Sequence, residues 1–192
     1  MPARRDGTEP LIAHGSVYLR PAEREDVPLF VRWLSDARTT RNISLVAPMS
    51  IAMEEAWYER VVENQGRDGY HFAICLLSDD RPVGTCGLFE LDLRNGSAGL
   101  GISIGDPADT GHGYGSDAMR ALVGWAFDML RLERIWLDVY MFNEGARRLY
   151  ERLGFVHEGV SRHAAFRFGE YVDLHRMSIL SGEWRAAQGR DA

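Results

Sequence analysis

The stretch from Ala98 to Tyr140 constrains the fold more than any other part of the chain. Ala98 to Ile104 has strand character, Thr110-Gly111-His112-Gly113-Tyr114-Gly115 is a glycine-rich turn, and Gly113 to Arg131 reads as one long helix. That helix carries Met119, Leu122, Val123, Ala126, Phe127 and Leu130 on a single face. Arg134 to Tyr140 returns to strand character. A strand, helix and strand in this order join one sheet as a right-handed parallel crossover, so the sheet must contain a parallel pair.

The flanking sequence limits that crossover to one. Upstream, Tyr70 to Leu77, Arg81 to Leu93 and Ala98 to Ile104 are separated only by the turns Ser78-Asp79-Asp80-Arg81-Pro82 and Arg94-Asn95-Gly96, which predicts three successive antiparallel strands. Earlier still, Ser16 to Arg20 reads as a strand, and Val27, Phe30, Val31 and Leu34 mark an amphipathic helix. Residues 36–50 form a loop with a helical turn, and Met53, Trp57 and Val61 mark a second helix ending near Glu63. Downstream, Asn143 to Leu153 is a helix with Asn143 as N-cap and Gly154 as its terminator; Phe155 to Arg162 and Glu170 to Leu180 make a hairpin. The expected class is α+β: a mixed, mostly antiparallel central sheet flanked by helices, with one β-α-β crossover. A single domain over 15–183 is expected, with flexible tails at 1–14 and 184–192.

Bulk properties narrow the partners. A chain of 192 residues with 45% apolar content can bury one substantial core. It has no apolar run of eighteen residues, and Met1 to Pro10 is polar, which predicts a cytoplasmic protein with no membrane partner. The net charge of −6 argues against nucleic acid and suits a cationic acceptor. Cys75 and Cys86 lack a CxxC spacing and read as reduced core residues. The six histidines show no HExxH or Cys/His pattern, so no metal is expected. All 22 basic Lys/Arg residues are arginine, a composition that codon bias accounts for.

The glycine-rich turn admits several chemistries. Free N–H groups and the helix dipole at the start of the long helix can hold phosphate oxygens, and a plain turn capped by Ser116 explains the same residues. Gly113-Tyr114-Gly115-Ser116-Asp117-Ala118 also fits the dinucleotide fingerprint, with Asp138 near the ribose-binding position. That reading needs successive βαβ units, and the antiparallel strands upstream oppose it. The lysine of a phosphate-binding P-loop is absent. Asn143 and Tyr150 lie seven residues apart, two turns along one helix face, and can point at one ligand or serve only as cap and core.

Gly111 to Ala118, Ile135 to Val139, Asn143 and Leu149-Tyr150-Glu151-Arg152-Leu153-Gly154-Phe155 together resemble the GNAT N-acyltransferase superfamily, in particular its RimJ/RimL-like branch, which is similar to spermidine acetyltransferases. Leu19-Arg20-Pro21, Glu158-Gly159 and Asp173 to Met177 extend the likeness from about Val17 to Leu180. The resemblance implies an N-acetyltransferase that moves an acetyl group from acetyl-CoA to a primary amine, either a protein N-terminus or a small amine such as a polyamine, by direct attack. It implies that Ile102, Ser103 and Ile104 lie along the pantetheine. It further implies that the amides of Gly111, His112, Gly113, Tyr114, Gly115 and Ser116 bind the pyrophosphate, that Asn143 contacts the cofactor, and that Tyr150 is the general acid to the thiolate.

The chain departs from that pattern at three positions. Thr110 and His112 stand where the family often has Arg or Gln, and Lys or Arg, so the cradle has less fixed positive charge. Gly99 stands where many members place a glutamate base. Glu90, sharing a strand face with Asp92, is the substitute suggested by alternation, and Asp138 is a second candidate. Gly99 also motivates an alternative, a non-catalytic acyl-CoA-binding module. Trp33 and Trp57 are candidates to line the acceptor site, while Glu54, Glu55, Glu59 and Glu63 read as one solvated helix face. The acceptor's identity and any homo-oligomer are left open by the sequence.

Overall fold

Strand alternation and two turn signals produce the antiparallel half of the sheet. In the computed structural model, which describes residues 7–45 and 47–189, the strands are β1 (Ile12–His14), β2 (Val17–Pro21), β3 (Tyr70–Leu76), β4 (Pro82–Asp92), β5 (Ser97–Ile104), β6 (Arg134–Tyr140), β7 (Val156–Arg167) and β8 (Glu170–Leu180). The helices are α1 (Val27–Leu34), α2 (Ala37–Thr40), α3 (Ile51–Asn64), α4 (Tyr114–Met129), α5 (Glu144–Arg152) and α6 (Ser181–Ala187). The strands form one sheet in the order β1-β2-β3-β4-β5-β6-β8-β7. Among the described residues β5 and β6 are the parallel pair, and α4 is the crossover between them. One crossover beside an antiparallel half is the expected α+β class, and it rules out the successive βαβ units of a dinucleotide domain.

The pleat sends alternate residues to two cores. On one face, Met119, Leu122 and Phe127 of α4 pack on Ile74, Leu88, Leu100, Ile135 and Leu137. On the other, Phe30 and Trp33 of α1 cover Tyr18, Ala73 and Cys75. Leu122 is wholly buried, and truncating such a residue to alanine costs about 2–5 kcal/mol. Cys75 and Cys86 are both buried, and burial pushes both thiols up, consistent with packing and no redox chemistry. Asp117 pins the far edge of the sheet to α4: its carboxylate accepts hydrogen bonds from the Ser16 N–H at 2.9 Å and the Ser16 hydroxyl at 2.8 Å.

Both tails require correction at their inner ends. Ile12, Ala13 and His14 pair with Leu19, Tyr18 and Val17, so the 1–14 tail ends in a strand too short to show alternation. At the other end α6 buries Trp184 against Phe127, with ring centroids 6.5 Å apart, so 184–192 is not wholly a tail. The hairpin's first strand runs on to Arg167 rather than stopping near Arg162, because register shifts at His157/Gly159 and Ser161/Ala165 hide its alternation.

The face of α3 also differs from expectation. Met53 is half exposed while Glu54 is 4% exposed, because the buried stripe follows Glu54 and Trp57 instead of Met53. Glu59 remains outside and pairs with Arg24. Burial pushes the Glu54 carboxyl above the usual glutamate range. The folded state therefore favours its protonated form, and stability is lost as pH rises from the ordinary glutamate pKa through the raised one. Glu54→Gln should raise Tm relative to the parent at about pH 7.5, and the difference should vanish near about pH 3, where the carboxyl is protonated in both states. Calorimetry at the two pH values checks both the sign and its disappearance.

Candidate active site

The site originates where two strands part. β5 and β6 pair only from Ser97 to Gly99 and from Arg134 to Trp136, whereas β6 keeps β8 as a partner along its whole length. Beyond Gly99 the strands diverge, and a cavity of about 1190 Å³ opens in the wedge. Leu100 to Ile104 line one side and Val139, Tyr140, Asn143 and Tyr150 the other, with the glycine-rich turn at its end. The edge of β5 that faced β6 lacks a strand partner there, so its N–H and C=O groups are available to an extended ligand.

At the end of the wedge the backbone is shaped for an anion. Gly111 and Gly113 have φ of +82° and +87°, and a Cβ on either would meet nothing within 4 Å. Both glycines permit the left-handed turn and leave space in front of it. The first helical bond of α4 runs from the Asp117 N–H to the Gly113 carbonyl at 3.0 Å, so the N–H groups of Tyr114, Gly115 and Ser116 have no intrahelical acceptor. Ile102, Ser103, Ile104, Gly111, Gly113, Tyr114, Gly115, Ser116 and Asn143 all line the cavity. The His112 side chain lies apart from them: its Nε2 is 3.2 Å from the Ala108 carbonyl and its ring stacks on Tyr114 at 5.5 Å.

α5 presents the other two side chains. Asn143 is the N-cap, its Oδ1 accepting from the Ala146 N–H at 3.2 Å; the residue lines the cavity, and among the described residues its amide nitrogen has no hydrogen-bond acceptor. Tyr150 is buried against Phe155 with ring centroids 5.9 Å apart, and burial pushes its hydroxyl up to about 12. Among the described residues that hydroxyl has no hydrogen-bond partner, although it borders the wedge.

A splayed parallel pair, a glycine-rich helix start and an inward tyrosine coincide with sequence and structural similarity. The acetyltransferase (GNAT) domain model matches residues 16–156. The chain belongs to the GNAT acetyltransferase family. The probable N-acetyltransferase YjcK of Bacillus subtilis is 32% identical, over 86% of this chain and 94% of that protein. Spermidine N(1)-acetyltransferase of Escherichia coli is 28% identical, over 89% of each. The crystal structure of spermidine N-acetyltransferase from Vibrio cholerae in complex with CoA and spermine matches with a TM-score of 0.82 at 25% identity, covering 88% of this chain and 98% of that one. As a GNAT acetyltransferase the protein takes acetyl-CoA as its acyl donor and an amine as acceptor.

Within this GNAT site the acidic candidates separate clearly. Arg176 holds Asp138 through two hydrogen bonds of 2.6 and 2.9 Å and lies over the Trp136 ring at 4.1 Å. Asp109 is held likewise by Arg81, at 2.8 Å through each oxygen. Glu90 lines the cavity, and among the described residues it has no ion pair. Its φ of +50° and the register shift between Phe89 and Asp92 show that β4 bulges there. The alternation that placed Glu90 and Asp92 on one face, opposite Phe89, is therefore broken, and Phe89 and Glu90 both reach the cavity.

Gly99 has a packing explanation. A Cβ there would lie 2.3 Å from a Phe89 ring carbon, and that ring stands edge-on to Trp136 at 5.3 Å. Phe89 thus fills the space in which a side chain at position 99 would project. Trp57 borders the cavity as expected, whereas Trp33 is buried beneath Gly105.

Two cavity-shaping residues escaped the sequence reading. His71 lines the wedge from β3, and its alternation opposite Phe72 was the available signal. Arg167 donates to the carbonyls of Leu45 and Thr40, each at 2.9 Å, and packs on Phe168 and Tyr140 at 5.2 and 5.7 Å. It thereby straps down the loop whose Asn42, Ile43 and Ser44 border the cavity; nothing in the local sequence announces that contact.

Gly99→Ala should force the Phe89 ring out of place and cost about 1–3 kcal/mol. In the Phe89→Ala background the same change should cost much less, with a coupling of at least about 0.5 kcal/mol. Urea denaturation of the four proteins measures the cycle, and strictly additive values would disprove the contact's importance.

Proposed function

We propose that acetyl-CoA lies in the wedge with its pyrophosphate on the amides from Gly111 to Ser116, including the backbone of His112, and its pantetheine arm along Ile102, Ser103 and Ile104. The observation that carries this reading is the alignment of the free β5 edge with the unpartnered N–H groups of α4 at the end of one continuous cavity. Backbone amides and the helix dipole supply the anion site here, because the His112 ring is turned toward Ala108. Asn143 offers its remaining amide hydrogens to the cofactor.

The acceptor's neutral nitrogen attacks the thioester directly. A β5 N–H stabilises the tetrahedral oxyanion, and Tyr150 gives its proton to the departing sulfur. A hydroxyl raised to about 12 stays protonated throughout the physiological range, which suits this acid role. Glu90, unpaired on the opposite wall, attracts the acceptor as an ammonium ion before its proton is lost. With Phe89, Trp57 and Trp136 also lining the cavity, this wall suits a cationic small amine, such as spermidine or spermine, or a peptide N-terminus. A cytoplasmic setting, with Cys75 and Cys86 reduced, fits this chemistry.

Thiol release from acetyl-CoA with polyamines, amino acids and N-terminal peptides tests the reading, and the amine with the highest kcat/KM defines the acceptor class. Tyr150→Phe should lower kcat on the order of 10²-fold with little change in CoA affinity, since the lost interaction forms mainly in the transition state. Single-turnover kinetics alongside CoA titration separates the two effects. A variant with near-parental chemistry would show that the thiolate leaves without Tyr150.

A further inference from the structure

The cross-strand row containing His71 is bare of other side chains. His71 of β3 is opposite Gly87 of β4, and Gly87 is opposite Gly101 of β5. Residues directly opposite share a face of the sheet, so His71 is followed by two glycines on the way to the wedge. The imidazole leans along this row: its Nδ1 is 3.2 Å from where a Cβ on Gly87 would stand. Over Gly101 a Cβ would meet nothing closer than the Phe89 ring at 3.8 Å, so the floor between the imidazole and β5 is open. Strands about 4.8 Å apart put the ring, leaning over β4, within about one water molecule of the space above Gly101.

We infer that His71 is the general base of the reaction, taking a proton from the acceptor ammonium directly or through one water. It occupies the functional place vacated at position 99, where Phe89 leaves no room for a side chain. Among the described residues neither ring nitrogen has a hydrogen-bond partner, although the main chain of His71 is fixed by Gln65, whose Oε1 accepts from the His71 N–H at 3.1 Å. The Trp57 ring meets the imidazole edge-on at 5.6 Å and holds its plane. The surroundings favour the neutral base: α3 presents Trp57, the preceding turn Gln65 and β4 Gly87, and burial pushes the imidazole below its ordinary value. The cavity's carboxylates are Glu90 on the bulge, Asp138 bound to Arg176 and Asp109 bound to Arg81.

The protons balance as follows. His71 accepts one proton from R–NH₃⁺, and the freed nitrogen pair forms the C–N bond. As the C–S bond breaks, its electron pair takes the Tyr150 proton; the second nitrogen proton returns to the tyrosinate through water. The imidazolium then releases its proton to solvent, giving amide, CoA thiol and one proton. This assignment rests on amine acetylation and on no particular acceptor.

The test uses the full chain with whichever amine turns over fastest, and compares His71→Gln, His71→Ala and Glu90→Gln. For the parent, log kcat/KM should fall with unit slope below an inflection at or under about pH 6.5. His71→Gln should lose about 10²-fold in kcat/KM and abolish that low-pH limb while CoA affinity stays within about twofold. Added imidazole should restore part of the rate of His71→Ala, a response that loss of packing alone does not give. Glu90→Gln should raise KM and keep the limb. A His71→Gln enzyme with the parental profile, or a Glu90→Gln enzyme that loses the limb, overturns the assignment. If the glutamine variant unfolds, the alanine variant decides: no rescue in folded His71→Ala also overturns it.

Discussion

The whole site depends on β6 having two neighbours of unequal reach. Its pairing with β8 spans seven register positions and its pairing with β5 only three. β6 therefore follows β8 away from β5, and the sheet opens without breaking. No backbone group is stranded in a dry interior by this, because the abandoned edge of β5 faces a cavity wide enough for solvent or ligand. The crossover helix must span the opening, so its N-terminus necessarily arrives at the wedge's end. Cleft, free strand edge and unpartnered helix start thus arise from one topological decision.

On the opposite face a different compromise rules. An aromatic cluster of Phe89, Trp136 and the stacked Arg176 closes the apex of the wedge, and Gly99 is the space this cluster requires. An absent glutamate at that position is consequently a packing outcome, which removes the motive for a non-catalytic binding module. The same arrangement pairs Asp138 with Arg176 and leaves Glu90 as a cavity carboxylate with no ion pair among the described residues.

Long periodic elements were legible in the sequence. β6 begins and ends at the expected residues, Asn143 caps α5, and Gly154 ends it with φ of +96°. Short or irregular pieces were not. β1 has three residues, too few for a pattern, and α6 is recognisable only through the burial of Trp184. The bulge at Glu90 breaks the period-two rule that the face assignment used, since one residue with positive φ reverses every later side chain. The charge of Glu54 suggests solvent, whereas helical geometry puts it on the buried stripe with Trp57. The cavity's walls draw on β3, the loop after α2 and the bulge of β4, and only tertiary contact unites them.

Arg167 gives this assembly a modular character. Its guanidinium joins the last hairpin to the loop carrying Asn42, Ile43 and Ser44, more than a hundred residues earlier, by backbone carbonyls alone. Because carbonyls are present whatever the side chains, this part of the loop's anchorage survives changes in its sequence, unlike the Arg41 contact with the Phe168 ring. Neither partner in this contact belongs to the crossover that carries the glycine-rich turn. The loop can therefore change its side chains, and with them one border of the cavity, while the crossover and its glycine-rich turn stay as they are.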